Sequence, residues 1–141
     1  MQGILFFLFT IIRMKQLLAV FGAFFFTVFI EAFTRIIIVF YNQETLIFYG
    51  LDSIPGPIWV ISLYMAVFTG TWLAGMVLTT AIQSRTFVLL SLLFTLQVMW
   101  RVSEFSQLSL NDWPYSLTII LTECFSLITV FLIQRKNASN N

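Results

Sequence analysis

The sequence contains no histidine and a single cysteine, Cys124, among its 141 residues, and only 9% of those residues are charged. Without histidine, imidazole acid–base catalysis and histidine-ligated haem are excluded, and one thiol can neither form an intramolecular disulfide nor complete a tetrahedral zinc site. Seven basic and six acidic residues give a net charge of +1, which provides no basic field for a nucleic-acid backbone. We therefore expect no metal, no cofactor and no nucleic-acid partner.

Catalytic motifs are equally scarce. The sequence has no phosphate-binding glycine loop, no paired metal-ligand spacing, and no serine or cysteine that a histidine could activate. A carboxylate pair alone can still perform acid–base chemistry. An enzyme is therefore the least favoured class of function rather than an excluded one.

Hydrophobic residues, by contrast, make up 60% of the chain, and the mean hydropathy is +0.96. That composition excludes a soluble globular domain and is typical of a protein embedded in a lipid bilayer. A membrane-crossing helix needs roughly 20 mostly apolar residues, because about 30 Å of hydrocarbon is crossed at about 1.5 Å per residue. Four stretches meet this length, and they predict an all-α bundle of four transmembrane helices at about 17–41, 58–82, 86–105 and 115–133.

Little of the chain lies outside these four helices, so we predict a single membrane domain over residues 1–141. Residues 134–141 form a short polar tail. Segment 1–16 is apolar and then basic, and its apolar part is too short to span a bilayer. Two interpretations of its first dozen residues remain open: a helix lying at the membrane interface, or an extension upstream of a natural start at Met14.

The basic residues outside the predicted helices all fall at one end of the bundle. The loops at the opposite end contain acidic residues and no basic one. Because short loops rich in Lys and Arg stay on the cytoplasmic side, this asymmetry predicts that both termini are cytoplasmic, and it fits a bacterial inner membrane. The basic residues are Arg13, Lys15, Arg85, Arg135 and Lys136, and the acidic ones are Glu44, Asp52 and Asp112.

Small residues recur every four positions in the second predicted helix, at Ala66, Gly70 and Ala74. Such spacing is typical of a helix-packing face, because small side chains let two helices approach closely in lipid. The pattern fits packing inside the bundle and packing against a second copy of the chain equally well.

Five acidic or basic residues lie within the predicted helices, all in the half nearest the acidic loops. Counting about 1.5 Å per residue from the helix ends places Glu31 roughly 15 Å deep and Glu123 roughly 12 Å deep, at a common level. A charge near the bilayer centre costs on the order of 2.5 to 3.5 kcal/mol on insertion scales, so these residues need partners. The five are Glu31, Arg35, Arg101, Glu104 and Glu123.

Two ion pairs can form along single helices, Glu31 with Arg35 and Arg101 with Glu104. Glu123 has no basic neighbour in its own helix, and burial disfavours its charged form unless an arginine reaches it across the bundle. A carboxyl that gains or loses a proton inside a bundle is a candidate proton or cation site. Four polar side chains are predicted to line such a site: Thr27, Tyr64, Thr69 and Gln97.

Two functions fit these residues. In the first, the charged cluster lines an outward-facing polar pocket that binds or translocates a small solute or a lipid headgroup, with proton linkage through the carboxylates. A protein this small needs a second copy to enclose a translocation path, so this hypothesis implies a homodimer. In the alternative, the charges only fix helix packing, and the protein is a structural or accessory subunit of a larger membrane complex.

Overall fold

The structure, a computed structural model, describes residues 2–42, 46–47, 50–51, 56–82, 85–105 and 113–139, and within them the side chains of 13–42, 56–82, 85–104 and 117–139. Nearly all of these residues are helical, in α1 (Gln2–Asn42), α2 (Pro57–Ala81), α3 (Thr86–Phe105) and α4 (Trp113–Ser139). Each helix contains a segment long and apolar enough to cross a membrane. The chain is therefore an integral membrane protein built as a four-helix bundle, as predicted.

A short strand pair lies in the loop between α1 and α2. Strand β1 (Leu46–Ile47) pairs antiparallel with β2 (Gly50–Leu51). The sequence predicts no strand here, because two residues are too few to show an alternating pattern. The acidic loop residues on which the predicted orientation depends, Glu44, Asp52 and Asp112, lie outside the described residues.

Two helices are longer than the hydropathy pattern predicts. α1 begins at Gln2 rather than near Leu17, so the N-terminal segment continues the first helix. No proline occurs before Pro55 to interrupt it. α4 continues to Ser139 rather than ending near residue 133, because its last turns contain Gln, Arg and Lys, which are polar but strong helix formers. Hydropathy locates the apolar part of a helix and does not locate its hydrogen-bonded ends.

α2 begins where its sequence permits a helix to begin. Pro57 is its first residue, where the missing N–H removes no helical hydrogen bond. Gly56 precedes it with a φ of 152°, a conformation that residues with a side chain rarely adopt. The amide of Val60 donates to the Gly56 carbonyl at 3.2 Å and closes the first turn. The start of α4 is similar, because Pro114 is its second residue.

Consecutive helices run in opposite directions. The ring of Tyr41 at the end of α1 lies 6.1 Å from that of Trp59 at the start of α2, and Gly70 of α2 meets Ile30 in the middle of α1. α1 packs mainly against α2, and α4 packs against α2 and α3. We call the end of the bundle where α1 ends and α2 begins the acidic end, and the end where α2 ends and α3 begins the basic end.

An apolar layer fills the half of the bundle near the basic end. It is formed by Val20, Ala74, Leu78, Leu89, Leu90, Leu93, Leu127 and Val130. A Cβ added at Gly75 of α2 would lie 3.2 Å from Leu127 and 3.3 Å from Val130, both on α4. A side chain at this position therefore has to displace its neighbours, and glycine allows α2 and α4 to pack closely.

The predicted packing face of α2 is directed into the bundle. Gly70 is buried, and a Cβ built there would lie 3.2 Å from the Ile30 side chain of α1. Ala74 belongs to the apolar layer, and Ala66 is half-buried. The two buried members of the face therefore pack within one chain.

Candidate functional site

Five charged side chains meet at one level of the bundle in a network that we call the carboxylate cluster, consisting of Glu31, Arg35, Arg101, Glu104 and Glu123. Arg101 of α3, whose side chain is only 4% exposed, is its centre. Its guanidinium donates two hydrogen bonds to Glu31 (2.9 and 2.5 Å), two to Glu123 (3.1 and 2.7 Å) and one to Glu104 (2.7 Å). Because arginine has five N–H donors, all of them are used within the cluster.

Arg35 is the second cation of the cluster. It lies one turn after Glu31 on α1 and donates to Oε1 of that residue, while its Nη1 donates to Glu104 Oε1 at 3.2 Å. Its side chain is 12% exposed, against 4% for Arg101. Both arginines thus bridge Glu31 and Glu104, which joins α1 to α3 twice, and Glu123 adds α4 to the network.

The two ion pairs expected along single helices are both present. The pairs between helices are those that the sequence spacing does not reveal: Arg101 also reaches Glu31 on α1 and Glu123 on α4. A long guanidinium side chain at a helix contact can reach two neighbouring helices, whereas sequence spacing predicts neighbours on one helix only. Glu123, which has no partner in its own helix, is therefore paired across the bundle.

The three carboxylates of the cluster are not equivalent. Both oxygens of Glu31 and both oxygens of Glu104 accept hydrogen bonds from arginines. Glu123 accepts only through Oε1, and its Oε2 is buried with no hydrogen-bond partner in the described part of the structure. A buried acceptor left without a donor costs on the order of 1 to 3 kcal/mol. Among the carboxylate oxygens of the cluster, Glu123 Oε2 is therefore the one where binding of a proton or of a ligand donor is most favourable.

The carboxylate cluster also carries an excess of negative charge. Two arginines face three carboxylates, so the net charge is −1 when every group is ionised. Uncompensated charge is expensive at this depth, because neither lipid nor the protein interior solvates it well. A single bound proton neutralises the cluster, and the half-bonded Glu123 is the group best placed to hold it.

Two of the predicted lining residues lie one helical turn from the cluster, toward the basic end. Thr27 precedes Glu31 by one turn, is buried, and donates to a carbonyl of its own helix at 2.7 Å. Gln97 precedes Arg101 by one turn, is buried, and its amide donates to Thr71 Oγ1 of α2 at 3.1 Å. The Oε1 atom of Gln97 is a second buried acceptor with no partner among the described residues. Sequence reasoning missed Thr71, since a lone threonine in an apolar helix carries no distinguishing signal.

The other two predicted lining residues lie farther out. The Tyr64 hydroxyl of α2 is hydrogen-bonded to the Thr118 hydroxyl of α4. Thr69 is exposed, and its hydroxyl donates to the Met65 carbonyl of its own helix at 2.7 Å. That position does not fit the predicted role of Thr69. Residues two apart on a helix point in nearly opposite directions, so it is Thr71 that faces the interior.

Three cavities lined by described residues lie elsewhere in the bundle. One of about 450 Å³ lies at the basic end, one of about 380 Å³ lies between α1 and α2, and one of about 200 Å³ lies between α3 and α4. None of these three is lined by a residue of the carboxylate cluster. No group of three acidic or thiol side chains within the described ranges is placed to hold a metal ion. The chemistry open to the cluster is charge pairing and proton binding.

The fold and the cluster together define a class: a small membrane protein with four spans and a buried, net-negative network of ion pairs. No family model matches the chain, and no curated protein or solved structure is significantly similar to it. The function of the protein is therefore inferred from the five charged residues and their surroundings.

Proposed function

We propose that the protein binds a proton at Glu123 inside the membrane and uses it to control the binding or passage of a small solute or a lipid headgroup. The supporting observation is the Glu123 Oε2 atom, which is buried and has no partner among the described residues. The other five carboxylate oxygens of the cluster all accept hydrogen bonds. Ionisable side chains at this depth are costly, and in membrane proteins they mark ion and proton pathways.

One proton changes two properties of the cluster. It removes the net charge of −1, and it converts the unbonded Oε2 of Glu123 from an acceptor into a donor. Gln97, one turn from Arg101 on α3, supplies a second buried acceptor that lacks a donor. The protonated state therefore removes the excess charge and gives the cluster an O–H donor that the ionised state lacks.

Release of the proton creates a different site. The ionised cluster is net negative, and it attracts a solute that carries a positive charge or several hydrogen-bond donors. Such a solute competes with the proton for Glu123. Mutually exclusive binding at one carboxylate is a sufficient thermodynamic basis for coupling the two.

Glu31 has a different role in this proposal. Its two oxygens accept three hydrogen bonds from the two arginines, so it anchors α1 to α3. A carboxylate bonded in this way is a structural partner of the arginines rather than a binding group. Of the two acids at this depth, Glu31 therefore stabilises the helix packing and Glu123 binds the proton.

We also propose an orientation of the protein in the membrane and an oligomeric state. With both termini in the cytoplasm, as the positive-inside rule indicates, the carboxylate cluster lies in the outer half of the bilayer. In a bacterial inner membrane it then exchanges protons with the external side. Passage of a solute, as opposed to its binding, requires a homodimer, because one bundle of four helices is too small to enclose a path.

Infrared spectroscopy tests the protonation directly. A protonated carboxyl has a carbonyl stretching band distinct from that of a carboxylate, and it can be recorded in lipid vesicles from about pH 5 to about pH 8. We expect a band that disappears as the pH rises and that is absent in Glu123→Gln. Glu44→Gln is the matched control, since it removes a carboxylate that does not belong to the cluster and leaves the charge of the cluster unchanged, and the band should persist in it. A wild-type protein with no such band across the range contradicts the proposal.

A second candidate is the structural or accessory subunit. The observation that favours it is the complete use of the Arg101 donors, which makes the cluster a strong link among α1, α3 and α4. A network that serves only packing does not require a group that changes its protonation between about pH 5 and about pH 8. It predicts spectra that do not change with pH, and co-purification with a larger membrane complex.

A further inference from the structure

A cavity of about 450 Å³ lies at the basic end of the bundle, at the opposite end from the carboxylate cluster. Thr79 of α2, Thr86 of α3 and Arg135 of α4 line it, so three helices contribute to its wall. Its volume falls within the range of small-ligand sites, roughly 300 to 1,000 Å³. The apolar layer lies between this cavity and the carboxylate cluster, which makes the two sites physically distinct.

The cavity lining is mostly apolar, but it includes several hydrogen-bond donors on exposed or half-buried side chains. The Arg135 guanidinium, the Thr86 hydroxyl and the Asn137 amide all carry N–H or O–H groups. The Gln134 amide donates to Thr79 Oγ1 at 3.1 Å, and this bond ties α4 to α2 at the cavity wall. The described residues that line the cavity include no acidic side chain. Such a lining fits an anion with several acceptor oxygens.

The charge distribution of the whole chain favours the same ligand. The three acidic residues of the described helices all lie in their acidic half, whereas five of the seven basic residues lie at the basic end. A separation of this kind attracts anions to one end of the bundle and repels them from the other. The cavity is therefore located where the field of the protein concentrates anions.

We propose that this cavity binds a phosphate group, carried either by an anionic lipid headgroup or by phosphate free in solution. A phosphate presents the charge and the acceptor oxygens that an arginine fork recognises, with hydroxyl and amide groups completing the contacts. Arg135 is the residue on which binding depends most, because it is the one cation among the described residues of the lining. The proposal does not depend on proton binding at Glu123.

Isothermal titration of the full chain in a maltoside detergent tests the proposal. The probes are dihexanoyl phosphatidylglycerol, dihexanoyl phosphatidylcholine as the zwitterionic control, and inorganic phosphate. The variants are Arg135→Gln and its matched control Lys136→Gln, which removes an equal charge from the next residue of α4, outside the lining. Arg135→Lys retains the charge without the planar fork, and circular dichroism verifies the helix content of each variant.

We expect phosphatidylglycerol to bind more tightly than phosphatidylcholine, and Arg135→Gln to weaken that binding about tenfold while Lys136→Gln changes it less than about twofold. Arg135→Lys should retain more affinity than Arg135→Gln. Binding of inorganic phosphate with the same dependence on Arg135 shows that free phosphate suffices, and binding of phosphatidylglycerol alone identifies the lipid headgroup as the source.

Three results overturn the proposal: equal losses in Arg135→Gln and Lys136→Gln, equal binding of the anionic and zwitterionic lipids, or no binding of either anion by the wild type. Glu123→Gln should bind the anions as the wild type does. The outcome at the basic end is therefore separable from the outcome at the carboxylate cluster.

Discussion

The acidic and basic halves of this bundle are stabilised by different interactions, although the same four helices pass through both. In the acidic half, Arg101 joins three helices through ion pairs. In the basic half, the apolar layer packs around Gly75. α2 contains no acidic or basic residue and is joined to the cluster region through hydroxyl and amide groups, such as the bond from Gln97 to Thr71.

The difference shows two ways of holding helices together where lipid removes the hydrophobic force between them. Close packing needs only complementary shape, so a single residue changes it by an amount that depends on volume. An ion-pair network needs all of its partners, because removal of one leaves others charged, buried and uncompensated. Loss of the shared donor in the acidic half should therefore cost more than a single change of shape in the basic half.

Removal of Arg101 has the largest expected effect. Arg101→Met leaves three buried carboxylates with Arg35 as their remaining cation, and loss of one partner of a buried pair costs about 3 to 5 kcal/mol. Reversible unfolding in mixed detergent micelles measures the free energy of unfolding. Arg35→Met is the matched control, and its loss should be smaller because Glu31 and Glu104 keep their bonds to Arg101. Equal losses in the two variants contradict the central position of Arg101.

Glu31→Gln is expected to destabilise the protein by about 1.5 to 3 kcal/mol, the usual contribution of hydrogen bonds to charged groups. The substitution places an amide N–H₂ group against arginine donors and removes the negative charge that both arginines face. The same unfolding measurement applies. A change near zero shows that the link between α1 and α3 does not depend on this carboxylate.

Gly75→Val probes the basic half and should cost about 1 to 3 kcal/mol, because the added methyl groups collide with Leu127 and Val130. Gly22→Val on α1 is the matched control, since a Cβ there meets nothing within 4 Å. Its effect should stay within about 0.5 kcal/mol. Similar losses in both variants indicate a general effect of glycine replacement rather than close packing of α2 against α4.

Glu123→Gln should have the smallest effect, within about 1 kcal/mol of zero and in the stabilising direction. Its amide oxygen can still accept from Arg101, while its N–H₂ group replaces the unbonded Oε2 and the excess charge is removed. The comparison with Glu31→Gln is decisive, since both residues lie at one depth. A loss as large as that of Glu31→Gln makes Glu123 a structural partner and rules out the proton-binding proposal.

The four helices and the level of the charged residues could be predicted from the sequence, because both follow from local rules. A run of apolar residues must be long enough to cross the bilayer, and each residue advances a helix by a fixed rise. α3 has the predicted range of 86–105, whereas α1 and α4 extend past their apolar runs into residues that form helix equally well. The orientation of the termini and the dimer remain predictions.

The ion pairs of the carboxylate cluster could be predicted from the sequence only where both residues lie on the same helix. Spacing along one helix predicted the pairs Glu31 with Arg35 and Arg101 with Glu104, and both are present. It did not predict the bond between Arg101 and Glu123, because that pair depends on which helices are neighbours. Depth along α2, without the rotation of the helix, selected Thr69 as a lining residue, although that side chain is exposed.

Composition, hydropathy and the positions of the charged residues along the chain therefore determine a membrane bundle of four helices. They also determine that its intramembrane charges lie toward one end. Only the packing of the helices decides that Arg101 is the shared donor, that Glu31 is fully bonded and that Glu123 keeps one oxygen without a partner in the described structure. The physical reason is that these bonds join residues far apart in the sequence. Their geometry depends on the rotation and neighbours of each helix, which local spacing does not encode.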